Sequence, residues 1–132
     1  PAKAHWGEIR SWYTKANRVD VQHAQPLLLF YETYIEAGQQ PTRNAVDGLL
    51  YAVQLAPRDP SLRATAVRQL LVENRLADAG RLFAPIAYEP HASEKSREAN
   101  DKIMDAIVAG NSGLALSLLE ARTAELEKEP ED

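Results

Sequence analysis

The side chains best suited to metal or proton-transfer chemistry are three histidines, His5, His23 and His91, and they lie far apart in the sequence. A structural or catalytic metal needs three or four imidazole, thiolate or carboxylate ligands converging on one ion. Only His91 and Glu94 are spaced to share a helix turn. One such pair leaves a metal under-coordinated, so His91 reads as a turn residue without a role. Cysteine is absent, which removes disulfides, thiolate ligands and thiol nucleophiles. There is no His-Glu-x-x-His and no Gly-x-Ser-x-Gly, and the six glycines are scattered instead of forming a phosphate-cradling loop. The chain is therefore expected to carry no catalytic residues, no metal and no cofactor, and not to be an enzyme.

What remains is chemistry of recognition. Trp6, Trp12 and Tyr13, with Tyr31 and Tyr34, could stack against a ligand, but at helical spacing they read first as packing between helices. Arg58, Arg63, Arg68, Arg75 and Arg81 face three acids, Asp59, Glu73 and Asp78, over the same span. That surplus suits either a solvated helical surface or a site for an acidic peptide. From Glu120 to Asp132 the chain holds six acids against Arg122 and Lys128. The tail reads as a polar cap on a terminal repeat, and its acids oppose the dipole of a helix C-terminus, so its last turn should fray. The net charge is −4, without the basic surplus of a nucleic-acid binder. No run approaches the ~18 apolar residues of a membrane span, so no membrane insertion is expected.

These side chains must be positioned by helices. The length of 132 residues with 45% hydrophobic content suits one globular domain with a core. Leu62, Ala66, Val67, Leu70 and Leu71 fall on one helical face, and Ile103, Met104, Ala106, Ile107 and Val108 thicken another. No segment alternates as a strand does. Breaks fall at Gly38–Thr42, where Gly38 suits the left-handed residue after a helix end, and at Pro57–Ser61, where Asp59 or Ser61 can cap the next helix. Further breaks fall at Pro90–Ser93, with Ser93 as a start, and at Gly110–Ser112. Seven helices follow, at 2–18, 25–37, 42–55, 60–73, 76–88, 93–109 and 112–128.

The helices repeat. Ala45, Leu49, Ala52 and Pro57 recur 34 residues later as Ala79, Phe83, Ile86 and His91, with Pro90 beside it. Ala115 and Leu119 follow after 36 more, and Ile9, Tyr13, Ala16 and Val21 precede by 36. This pattern resembles the tetratricopeptide repeat family, whose period is a 34-residue helix-turn-helix with a small residue in the second helix, an aromatic four later and a closing proline. Asn74–Ala79 resembles the family's turn into the second helix, Ala52–Pro60 its exit, and Tyr34 with Gly38 the end of its first helix. The extra residues lie in longer turns, Gly38 to Ala45 and Pro90 to Gly110. Leu27, Arg63 and Ala99 stand where the family has a large aromatic.

The resemblance implies an all-α, right-handed superhelix of antiparallel hairpins over a single domain, 1–132. Residues 1–21 would be the lone second helix of a repeat, and 22–57, 58–91 and 92–129 the hairpins. It also implies a protein-protein interaction or scaffolding module whose concave face carries Gln25, Leu28, Glu32, Thr65, Arg68, Arg97, Asn100, Asp101 and Met104. The expected partner is a protein or peptide, or another domain of a longer parent chain. Ala52–Asp59 resembles helical tails that follow enzymatic domains in bacterial proteins, and this supports an alternative reading as a structural extension docking on such a domain. Because the first helix of the opening repeat precedes Pro1 in this register, Trp6, Ile9 and Tyr13 are expected to form an uncovered apolar face that promotes self-association or a homodimer.

Far-UV circular dichroism should record a predominantly helical spectrum without a sheet component. A sheet content above about one residue in ten would be incompatible with this reading of the periodicity.

Overall fold

The structure, a computed structural model, describes residues 7–10 and 24–128. Six helices make up the longer stretch: α1 (Ala24–Glu36), α2 (Arg43–Leu55), α3 (Pro60–Val72), α4 (Leu76–Ala87), α5 (Glu94–Val108) and α6 (Ser112–Lys128). Residues 7–10 are helical as well, and no strand occurs among the described residues. Each helix starts and ends within one residue of its expected place. The remainder of the expected 2–18 helix lies outside the described residues. The chain divides into two compact units at the Leu62–Arg63 boundary, inside α3.

The punctuation explains the boundaries. Gly38, Asn74 and Gly110 have φ of 68°, 59° and 81°. They end α1, α3 and α5, and each is closed by the same two backbone bonds. Gly38 N–H donates to Ile35 and Gln39 N–H to Tyr34; Asn74 N–H donates to Leu71 and Arg75 N–H to Leu70; Gly110 N–H donates to Ile107 and Asn111 N–H to Ala106. This is the Schellman closure, which satisfies carbonyls that the helix end leaves without partners. Glycine reaches this conformation without steric cost, and asparagine is among the few other residues that do so readily. The spacing of the three residues is 36 and 36 (74 − 38 and 110 − 74). Side-chain caps begin the helices that follow. Thr42 Oγ1 accepts from Ala45 N–H at 3.2 Å, Asp59 Oδ1 from Leu62 N–H at 3.1 Å, Ser93 Oγ from Ser96 N–H at 3.1 Å and Asn111 Oδ1 from Leu114 N–H at 3.1 Å.

In the first unit α1 packs on α2. Leu27 and Tyr31 meet a face made by Ala45, Val46, Leu49, Ala52 and Val53. A Cβ at Gly48 would stand 3.3 Å from Leu27 Cδ2, so the two helices approach closely there. The helical residues 7–10 are anchored to α1 through Arg10. Its guanidinium lies 3.6 Å above the Tyr34 ring, and its Nε donates to Thr33 Oγ1 at 3.1 Å. The Thr33 hydroxyl donates onward to the Phe30 carbonyl at 2.7 Å.

In the second unit α4 packs on α5 and α5 on α6. Ala66, Val67, Leu70, Ala79, Phe83, Ile103, Ala115 and Leu119 are all shielded from solvent. Arg63, at the position where the resemblance led to an aromatic, bridges the pair polarly by donating from Nη1 to the Leu82 carbonyl of α4 at 3.2 Å.

The small residues Ala45, Ala79 and Ala115 are each fully buried. Ala79→Leu should overpack its site and lower stability by ~1–3 kcal/mol. Gly110→Ala meets no neighbour within 4 Å, so its cost is conformational alone, about 1 kcal/mol. Denaturant melts of both variants test this ordering; a neutral Ala79→Leu would show that the small residue is not at a close contact.

Candidate functional site

The positions expected to face a partner follow from the helix ends. Glu32, Arg68 and Met104 each lie six residues before a left-handed residue, so they occupy one register place in α1, α3 and α5. An acid, a base and a thioether share that place, so the hairpins do not repeat one ligand-binding group. Gln25 is exposed at the start of α1, while Leu28 and Glu32 are partly covered. Burial, with the neighbouring Glu36 second, holds the Glu32 carboxyl above its ordinary value of 4.5. In α3, Thr65 and Arg68 are partly covered; in α5, Arg97 and Asp101 are exposed and Met104 is partly covered.

The basic side chains and the amide of this set turn to separate partners. Arg68 Nη2 lies 3.9 Å from Glu120 Oε2 of α6. Arg97 Nη2 donates to the Pro90 carbonyl at 2.7 Å. Asn100 is only 1% exposed. Its Nδ2 donates to the Ile86 carbonyl at 3.3 Å, and its Oδ1 accepts from Arg122 Nε at 2.7 Å. Asn100 is thus a buried link between α4, α5 and α6, and its hydrogen-bonding groups are engaged within the fold. Arg75 and Arg81 of the basic run are engaged too. Arg75 pairs with Glu73 at 3.5 Å and Asp78 at 3.1 Å, and Arg81 also pairs with Asp78. Of the N-terminal set, Ile9 is partly covered, while Trp6 and Tyr13 lie outside the described residues.

An open groove runs between α4 and α5. It has a volume of about 460 Å³ and is lined by Leu76, Gly80, Ala84 and Tyr88 on one side and Met104, Ile107 and Val108 on the other. Glycine and alanine form its floor because α4 lies close to α5 there: a Cβ on Gly80 would stand 3.4 Å from Ile107 Cγ2. Its rim is apolar yet open to solvent, with Tyr88 69% and Val108 80% exposed. Met104 alone of the expected surface residues belongs to it. The signal in the sequence was the spacing of Ala77, Gly80 and Ala84, three small residues on one helical face, which the search for a period passed over.

Among the described residues no cluster of three or more histidines or acids is placed to hold a metal, and no helix is long and apolar enough to cross a membrane. No family model matches the chain, and no curated protein or solved structure shows significant similarity to it.

The raised Glu32 pKa has a consequence for stability. The folded chain holds this proton more tightly than the unfolded one. The associated stability is therefore complete below 4.5 and is lost as pH rises through the raised value. Glu32→Gln should melt above the parent protein at pH 7 and together with it at about pH 4. Thermal melts at the two pH values measure this, and a variant equally stabilised at both would place the cause outside the carboxyl's ionisation.

Proposed function

We propose that the chain is a tetratricopeptide-like array of helical hairpins whose function is to bind another protein, with the groove between α4 and α5 as the seat. The observation that carries this reading is the pair of apolar walls, exposed Tyr88 just past the end of α4 and partly covered Met104 with exposed Val108 on α5, around a floor of small side chains. Water held against such a surface is released when an apolar segment replaces it. Contiguous exposed apolar surface of this kind marks contact sites. The 36-residue recurrence of the helix ends supports the array, because repeats of one hairpin bury their faces on their neighbours. No catalytic role is part of this reading.

The charges around the groove are balanced. Asp78 lies near the start of α4, and Asp101 and Asp105 lie within a turn of Met104 and Val108 on α5. Arg81 lines the groove and is paired with Asp78, and Arg75 and Lys102 stand as near to it in the chain as these acids. Three bases face three acids, so apolar contact selects the partner.

A helical peptide of leucine and lysine should bind the intact chain, and the same peptide with alanine for leucine should bind at least about tenfold more weakly. Val108→Asp, at an exposed position, should weaken the leucine-lysine peptide by about tenfold or more with an unchanged melting midpoint. Isothermal titration reads both comparisons. Equal affinity of the two peptides, or an unaffected Val108→Asp variant, would remove the groove as the binding seat.

A further inference from the structure

Among the described residues, the half-buried Arg122 of α6 has no acidic partner. Its one hydrogen bond among the described residues runs from Nε to Asn100 Oδ1, and no carboxylate oxygen lies within ion-pair distance of it. The two acids nearest along α6 are engaged elsewhere, Glu120 with Arg68 at 3.9 Å and Glu125 with Lys95 at 3.1 Å. Burial lowers the Arg122 pKa from its ordinary value, though an arginine remains a cation at neutral pH. A partly desolvated cation without a counter-charge is costly to keep.

The guanidinium is also held in place. Asn100, 1% exposed, is locked between the Ile86 carbonyl and Arg122 Nε. This contact fixes the plane of the guanidinium and uses its side edge. Among the described residues the Nη1 and Nη2 end makes no hydrogen bond, and its two parallel N–H groups are spaced to meet the two oxygens of one carboxylate. The charge also selects the ligand. A dianion such as phosphate would need a second cation, and the neighbouring bases are engaged, Lys95 with Glu125 and Arg97 with the Pro90 carbonyl.

We propose that Arg122, oriented by the buried Asn100, forms a binding site for a single carboxylate supplied by a ligand or partner. The site differs from the α4–α5 groove in residues and chemistry, and it stands whether or not that groove binds a protein. Its engagement adds a charge-assisted contact to a cation the fold leaves unneutralised.

The test follows the Arg122 Nε–H signal by NMR in the intact chain at constant ionic strength. Acetate and N-acetylalanine should shift it saturably, with dissociation constants of order millimolar, and N-acetylalanine amide should not. Arg122→Gln should abolish the response, read on the Asn100 side-chain amide. Arg122→Lys, which keeps the charge and loses the fork, should weaken it at least about tenfold. Arg68→Gln, removing a different arginine, should leave it unchanged. Should Arg122→Gln fail to fold, the lysine variant and the amide control decide the matter. Absence of a saturable shift, an equal response to the amide, or an unweakened Arg122→Lys overturns the site. Tighter binding of inorganic phosphate than of acetate overturns its assignment to a carboxylate.

Discussion

Three residues with positive φ, Gly38, Asn74 and Gly110, stop α1, α3 and α5, and the positions of the other elements are measured from them. At each of these ends the chain must turn within a few residues and still satisfy the last carbonyls of the helix. The paired backbone bonds from the left-handed residue and its successor accomplish both. Once the stop is placed, the residue seven positions earlier is directed inward, and Tyr31, Val67 and Ile103 there are all buried. The helices that follow start five, two and two residues later (43 − 38, 76 − 74 and 112 − 110) and bring Ala45, Ala79 and Ala115 to buried positions. The longer first turn, from Gly38 to Thr42, accounts for the difference between a 34- and a 36-residue interval in those alanines, whereas the stops themselves keep to 36.

Polar groups are then used to bind the helices to one another. Arg63 reaches a carbonyl of α4, Arg10 covers Tyr34 and Thr33, and Asn100 joins three helices through one amide. In each case a side chain near the core adds a hydrogen bond to a backbone or hydroxyl group of another helix. The arginine-rich stretch from Arg63 to Arg81 therefore reads differently in three dimensions. Its charges are engaged by Glu120, Glu73, Asp78 and the Leu82 carbonyl, and little of it stands ready for an acidic peptide. The groove with its apolar rim and the Arg122 guanidinium are the features of the second unit that internal contacts do not complete. The ligands proposed for them differ in kind, one held through released water and one through charge.

The sequence by itself determined the helices. Apolar spacing, Gly38, the prolines and the capping residues Asp59 and Ser93 act within a few positions along the chain, so their effect is local and legible. The recurrence of a small residue every 34 or 36 positions was legible for the same reason. The surface was not. Helical spacing placed Asn100 beside Arg97 and Asp101 as a candidate contact residue, but whether a side chain on a flank meets solvent depends on which helix packs there. Ile86 of α4 and Arg122 of α6 close over Asn100 from positions 14 and 22 residues away. The groove likewise exists only where the fold brings Gly80 of α4 beside Ile107 of α5, and that no described acid pairs with Arg122 is visible only in three dimensions. Local backbone preference is written residue by residue, whereas burial and charge pairing are properties of neighbours brought together by the fold, and only the tertiary structure decided those.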